Sequence, residues 1–352
     1  MKKYMYTILS LCLIINPLIA SEVFITSPDR FYASKALLSE TVRTDLPRTQ
    51  VIDGKLGALP SNVLTVDSRT LTQSGRPLSP TTRQQITQAQ GTYGTVRLVQ
   101  ELWKNTLDSF PQWCPVTGCT PICVATANWN KQPLLTINPH AGCVEGCALN
   151  AYYDPRTHEL VFPQFLDSGR MKYTCSSFDV VAHETGHACL DAMVPGLLRT
   201  GRLDHRALHE SFGDLTALFA SLSLVSEDVQ AAWLSKPSSD TCIGGDLTGA
   251  CIRDPHDDES IRCEEHSLSK PLTRFMCSYL QHQWQYNTSG VSAGDVLRQG
   301  RKDFLTAILL NSKSDNILTG ITHYFHNNKT PIEDSYLTLL TYQFKSCPLA
   351  AA

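Results

Sequence analysis

Residues 179–193 read DVVAHETGHACLDAM and contain the pattern HExxH, in which His183, Glu184 and His187 are the defined positions. In a helix, His183 and His187 are one turn apart, so both imidazoles lie on one face and can bind the same metal ion. Glu184 is one position further round, where its carboxylate reaches a water on the metal without being a ligand. This pattern predicts a zinc-dependent hydrolase that needs a third protein ligand from elsewhere in the chain.

The third ligand is predicted to come from residues 208–219, LHESFGDLTALF. Glu210 follows His187 by 23 residues, and Asp214 lies one helical turn after Glu210 on the same face. Two histidines and a glutamate leave a fourth zinc position open for water, as catalysis requires. We expect Asp214 to accept a hydrogen bond from the outer N–H of one ligand histidine and His209 to lie beside the other ligand histidine as its partner.

Other interpretations of these residues remain open. His205, His209 or Asp214 could supply the third ligand in place of Glu210. A solvated acidic helix face would also explain Glu210 and Asp214, and the two histidines of the HExxH pattern could be ordinary helix residues. The apolar, capped character of the surrounding helix favours the metal site over that last interpretation.

The first 20 residues have the features of a secretory signal. Lys2 and Lys3 precede an apolar run at residues 8–15, and residues 18–20 form an acceptable cleavage end. An uncleaved anchor is the alternative, but the run is shorter than the about 20 residues that span a bilayer. We therefore expect a secreted protein, extracellular or periplasmic, with no membrane partner after signal removal.

Composition is consistent with a large exported globular protein. The 352 residues are 42% hydrophobic and carry a formal net charge of −3, with no basic patch, which argues against a nucleic-acid partner. Of the 13 cysteines, only Cys12 lies within the signal. The even number that remains favours disulfide bonds, and Cys189 is predicted to be a buried thiol. The alternative is a structural zinc cluster among five closely spaced cysteines: Cys114, Cys119, Cys123, Cys143 and Cys147.

The chain is predicted to be organised in four parts. Residues 1–20 are the signal, residues 21–88 an N-terminal segment or removable pro-region, residues 89–190 an α/β lobe that ends in the metal-binding helix, and residues 191–352 a mainly helical lobe. Strands are predicted at 61–66, 134–137, 148–153 and 158–162, and a turn or linker at 75–82. Helices are predicted at 91–107, from Ser177 or Asp179 to Pro195, and at 207–224, 271–286, 292–310, 315–325 and 331–344.

The succession of HETGH and HESFGD resembles the thermolysin-like metallopeptidases, the gluzincins, whose pattern is HExxH followed by ExxxD. Residues 150–153, Asn-Ala-Tyr-Tyr, resemble the edge strand of that family, and residues 179–183 resemble the segment that leads into its metal helix. The resemblance covers residues 90–285. It implies an α+β, two-lobed zincin fold, with a mixed N-terminal lobe that carries an edge strand and a mainly α-helical C-terminal lobe.

The resemblance also implies residue roles. His183, His187 and Glu210 would bind zinc, and Glu184 would be the general base. Asn150 and Ala151 would hold the substrate main chain, so that an extended peptide adds a strand to the sheet edge. A histidine would stabilise the oxyanion; His266 fits its context best, with His256 as the alternative.

Two features depart from the family pattern. The family has a tyrosine between the second histidine and the glutamate, but residues 195–198 read Pro-Gly-Leu-Leu. Of the family's calcium carboxylates, Asp179 matches one, and no second follows Asp214. The calcium site of the family is therefore only partly matched. The acidic residues at 254–259 could form a separate calcium loop or a solvated turn.

The predicted function is a secreted zinc endopeptidase that acts on protein or peptide substrates. A secreted binding protein or effector on a gluzincin scaffold, with weak catalysis or none, is the alternative. A zinc amidase is a third possibility, which the Asn150-Ala151 strand disfavours. The sequence predicts neither side-chain specificity nor oligomeric state.

Overall fold

The computed structural model describes short strands between residues 21 and 77, followed by residues 80–110, 120–131, 135–141, 150–167, 169–236, 253–254, 263–286 and 290–328. Several predicted features lie outside the described residues: the signal at 1–20, the strand at 61–66, the helix at 331–344, and His256.

The described chain is α+β, mostly helical with a small mixed sheet, which confirms the predicted class at this level. The strands are β1 (Ser21–Thr26), β2 (Ser39–Thr44), β3 (Thr49–Asp53), β4 (Gly57–Ala58), β5 (Thr72–Gln73), β6 (Arg76–Pro77), β7 (Leu135–Ala141), β8 (Tyr152–Asp154), β9 (Glu159–Asp167) and β10 (Arg170–Tyr173). The helices are α1 (Pro80–Asp108), α2 (Pro121–Asn130), α3 (Phe178–Met193), α4 (Leu203–Ser223), α5 (Glu227–Leu234), α6 (Glu265–Gln285), α7 (Ala293–Asn311) and α8 (Ile317–Asn328).

The main sheet has the order β10-β9-β7-β3-β4, and β8 pairs with β9. Strand β7 is parallel to β3 and β9, whereas β8 and β10 run antiparallel to β9. The β8–β9 pair joins Tyr153 to Leu160 and matches the strand pair predicted from the sequence. Strands β1 and β2, and β5 and β6, form separate antiparallel pairs.

Helix α3 lies between two groups of buried apolar side chains. Ala182 and Leu190 belong to the large helical core, whose centre includes Trp103 stacked on Phe212 at 4.4 Å between ring centroids. Val181, on another face of α3, belongs to a smaller core against the sheet. The predicted metal helix is therefore held from two sides, which restricts the positions of its histidines.

Three helices begin earlier than predicted, and one of them, α4, begins at Leu203 rather than at residue 207. Helix α1 begins at Pro80, within the segment predicted as a turn, where proline suits the first helical turn. Residues 83–90 are rich in arginine, glutamine and alanine, which favour a helix without forming an apolar stripe. Helix α6 begins at Glu265, and Pro271 lies inside it rather than at its start. The Glu264 side chain caps this helix, a role usually filled by shorter side chains, so the start was missed.

Within the described residues, no helix has the length and apolar character needed to cross a membrane. Cys189 is a buried thiol, as predicted. Cys123 and Cys263 are disulfide-bonded.

Candidate metal centre

The HExxH residues lie on α3, whose start is set by Ser177. The Ser177 hydroxyl accepts a hydrogen bond from the Val180 backbone N–H at 3.2 Å, the N-cap interaction expected for serine. The imidazoles of His183 and His187 follow on one face, with ring centroids 4.6 Å apart and planes nearly perpendicular. Both side chains are buried, so each ring nitrogen needs a specific partner.

Glu210 on α4 reaches both histidines. Its Oε2 is 3.4 Å from His183 Nε2, and its Oε1 is 3.4 Å from His187 Nε2. Ligands at 2.0–2.1 Å from a tetrahedral zinc ion are separated from one another by about 3.3–3.4 Å. Each Glu210 oxygen is therefore at such a separation from one of the two Nε2 atoms, and the structure brings the three predicted ligand side chains together.

Asp214 lies behind His183. Its Oδ1 is 2.9 Å from His183 Nδ1, the nitrogen that faces away from Glu210. Burial and the nearby Arg253 charge lower the pKa of His183, but the Asp214 and Glu210 carboxylates outweigh them and raise it to about 10. A carboxylate at this position holds the ring orientation through Nδ1 and directs Nε2 towards Glu210, and a metal that binds Nε2 must displace its proton.

The close crossing of α3 and α4 depends on two glycines. A Cβ added at Gly213 would lie 2.6 Å from His183 Cε1, and a Cβ added at Gly186 would lie 2.9 Å from Thr216 Oγ1. The His183 imidazole thus rests directly on the backbone of α4. A side chain at residue 213 would displace the imidazole.

His209 lies beside His187. The two ring centroids are 5.6 Å apart, with a 37° tilt. Neither ring nitrogen of His209 has a hydrogen-bond partner among the described residues. Burial lowers the pKa of His209 well below its ordinary value, and the positive charge that His187 can carry adds to this effect, so the ring is neutral.

Glu184 completes the buried cluster. One potential ligand atom each from His183, Glu184 and His187 lies within 4.8 Å of the others. Burial raises the pKa of Glu184 above its ordinary value, although the two histidines oppose this effect. A carboxylate with a raised pKa beside a metal site is suited to accepting and returning a proton.

Arg253 is a site residue that the sequence did not predict. Its Nη1 donates to Glu210 Oε2 at 2.6 Å and lies 3.3 Å from Asp214 Oδ1. Burial raises the pKa of Glu210, but Arg253 and His187 outweigh it and hold the pKa well below its ordinary range. Burial lowers the pKa of Arg253, but the Asp214 and Glu210 carboxylates outweigh it and raise the pKa. The site therefore contains the buried, charged guanidinium of Arg253, hydrogen-bonded to Glu210, the carboxylate predicted to bind metal.

His266 lies at the edge of the same cluster and is half exposed. Its Nε2 is 3.5 Å from Glu210 Oε2, and its Nδ1 is 3.1 Å from Glu264 Oε2. The Glu264 carboxylate also accepts hydrogen bonds from the backbone N–H groups of His266 and Ser267, at 3.1 and 2.5 Å. One carboxylate thus fixes both the start of α6 and the His266 ring.

Asn150 and Ala151 immediately precede β8. Asn150 is exposed and Ala151 is buried. Strand β8 packs against α3, and the Tyr153 hydroxyl donates to Asp191 Oδ2 on that helix at 3.0 Å. The strand predicted to bind substrate is therefore packed against, and hydrogen-bonded to, the helix that carries the two histidines.

No protein-family model matches the chain, and a search of curated proteins finds no match. The functional assignment consequently depends on the motifs and on the geometry of this site.

Proposed function

We propose that this protein is a secreted zinc endopeptidase with a two-lobed, gluzincin-type architecture. In this proposal His183, His187 and Glu210 bind the ion, and α3 lies between the sheet-containing lobe and the helical lobe. The proposal is carried by one observation: a different Glu210 carboxylate oxygen lies 3.4 Å from the Nε2 atom of each histidine, close enough for the three side chains to meet at one ion.

A bound zinc ion would supply Lewis-acid chemistry, polarising the scissile carbonyl and lowering the pKa of a water. Glu184 takes the proton from that water and later passes it to the leaving amine. Its burial and raised pKa support this role, because a stronger base accepts the proton more readily. Asp214 orients the His183 ring through Nδ1, and metal binding would release the proton from the metal-facing nitrogen.

His266 stabilises the oxyanion in this proposal. Its position beside Glu210 and its half-exposed ring allow contact with a substrate that enters from solvent. Glu264 fixes the ring through Nδ1, and in the imidazolium form Nε2 also carries a proton that it can donate to the oxyanion. Such a donor contributes about 10²–10³ in rate.

The substrates are proposed to be proteins or peptides bound in extended form. Asn150 and Ala151 offer main-chain and amide groups directly before β8, where a peptide would add as a further strand. Backbone recognition of this kind accommodates many sequences.

The test compares Glu184→Gln and Glu210→Ala with Asp228→Asn, which changes an exposed acid remote from the site. Glu184→Gln is expected to abolish hydrolysis of an unfolded protein while keeping about one zinc per chain, because the base is not a ligand. Glu210→Ala is expected to lose both metal and activity, and Asp228→Asn neither. Wild-type activity in Glu184→Gln would rule out the mechanism.

A second candidate is a secreted binding protein on the same scaffold. It is favoured by residues 195–198, which contain no tyrosine to assist the oxyanion. Incubation of the zinc-loaded protein with unfolded protein, with and without a chelator, separates the two candidates. Chelator-sensitive cleavage supports the peptidase, and binding without cleavage supports the alternative.

A further inference from the structure

We propose that Arg253 competes with the metal ion for Glu210 and thereby sets the metal affinity of the site. Its guanidinium contacts both Glu210 and Asp214 and supplies positive charge to the carboxylate that would also bind the ion. This inference rests on the zinc centre proposed above and concerns its regulation.

The contacts of Arg253 carry the argument. Its Nη1 is 2.6 Å from Glu210 Oε2, the same oxygen that lies 3.4 Å from His183 Nε2. It is also 3.3 Å from Asp214 Oδ1, the oxygen that lies 2.9 Å from His183 Nδ1. The guanidinium therefore approaches both carboxylates on the oxygens that face the ligand imidazole.

Arg253, Glu210 and Asp214 are buried, which strengthens the electrostatic interactions among them. The exposed fractions of the Arg253, Glu210 and Asp214 side chains are 14%, 15% and 1%. Two buried carboxylates this close to one imidazole need a nearby positive charge, and removing one partner of a buried ion pair is strongly destabilising. Arg253 provides a positive charge to both carboxylates.

A metal ion at the same carboxylate changes this balance. An arginine side chain stays protonated, so it repels a divalent cation that binds Glu210 from the other side. The guanidinium also withdraws Glu210 Oε2 from metal binding by taking a short, charge-assisted hydrogen bond. Both effects weaken metal binding.

The same contact could instead orient the Glu210 carboxylate and thereby strengthen metal binding. A donor on a ligand carboxylate can fix its direction and strengthen metal binding, and loss of such a donor weakens metal affinity. The two roles predict opposite changes in affinity when the guanidinium is removed. The sign of that change is therefore decisive.

The experiment uses the full chain with Arg253→Gln and Arg253→Lys, and with Arg156→Gln as a matched control. Arg156 forms an exposed ion pair with Asp154 and is 82% exposed, so its replacement removes a charge without affecting the buried site. Zinc affinity is measured by competition with a chromophoric chelator. Thermal unfolding of the zinc-free protein is measured in parallel.

Arg253→Gln is expected to bind zinc at least roughly tenfold tighter than wild type, because a buried positive charge beside the ion is removed. Its zinc-free form is expected to unfold at a lower temperature. Arg253→Lys keeps the charge but replaces the planar guanidinium with a more strongly hydrated ammonium that holds Glu210 less tightly, and it is expected to bind zinc a few-fold tighter than wild type. Arg156→Gln is expected to match wild type in both measurements.

Equal or weaker zinc binding by Arg253→Gln would overturn the inference while leaving the metal centre in place. If neither wild type nor Arg253→Gln binds zinc, the proposed metal centre itself fails. Zinc binding by the variant alone supports competition most strongly. If Arg253→Gln does not fold, the lysine variant decides: tighter binding than wild type supports the inference, and equal or weaker binding overturns it.

Discussion

Replacement of Gly213 by alanine is expected to damage the metal centre without touching a ligand. The added Cβ would lie 2.6 Å from His183 Cε1 and 2.7 Å from its Nδ1. Ordinary van der Waals contact begins at 3.4 Å, so the imidazole or helix α4 must shift by about 0.8 Å. Metal sites tolerate errors in ligand distance of about 0.2 Å. The shift is therefore too large for the ligand to remain in place.

Two magnitudes follow from this displacement. A glycine-to-alanine change inside a helix normally stabilises a protein by about 0.5–1 kcal/mol. Here overpacking is expected to cost about 1–3 kcal/mol and reverse the sign. Zinc affinity is expected to fall by about 10–100-fold, the range seen when the support of a ligand histidine is lost.

The assay measures chemical unfolding of the zinc-free protein and zinc affinity by chelator competition. Gly294→Ala is the matched control, because Gly294 lies in the first turn of α7 and the nearest atom to its added Cβ is a side-chain oxygen at 3.4 Å. The control is expected to keep wild-type zinc affinity and to be at least as stable. If Gly213→Ala is as stable as wild type and binds zinc equally well, the added Cβ does not displace the His183 imidazole.

Two further predictions concern pH and rate. Burial and the carboxylates of Asp191 and Asp303 raise the pKa of Tyr153 and Tyr279, respectively, above the ordinary value of about 10. The folded state then keeps these protons while the unfolded chain loses them, so the free energy of unfolding is expected to fall as the pH rises above 10. Tyr153→Phe should reduce this slope by up to about 1.4 kcal/mol per pH unit in urea titrations, and an unchanged slope would contradict the assignment. His266→Phe is expected to lower kcat by about 10²–10³ with zinc content unchanged, and a wild-type kcat would remove the proposed oxyanion role.

Local signals made the metal helix predictable. The Ser177 cap and the spacing of the two histidines act within a few residues, and the observed helix begins at Phe178, between the two starts considered. The pairing of Glu210 with Asp214 was also predictable from a local signal, because a four-residue spacing places both on one helix face. The structure then brings this face to the histidines.

Features that depend on distant contacts were not predictable. Arg253 meets Glu210 across 43 residues, from a loop without periodicity, and an isolated arginine among acidic residues usually indicates a solvated surface. The importance of Gly213 is likewise visible only when α3 and α4 are packed together. Glu264 was missed because glutamate is an uncommon cap, and its contact with His266 depends on the early start of α6.

The most direct test of the central claim is an anomalous-scattering map recorded at the zinc absorption edge from crystals of the zinc-loaded protein. The account predicts one strong peak at about 2.0–2.1 Å from His183 Nε2, from His187 Nε2 and from a Glu210 carboxylate oxygen. A map without a peak at these atoms, or with a peak that Glu210 does not reach, would contradict it.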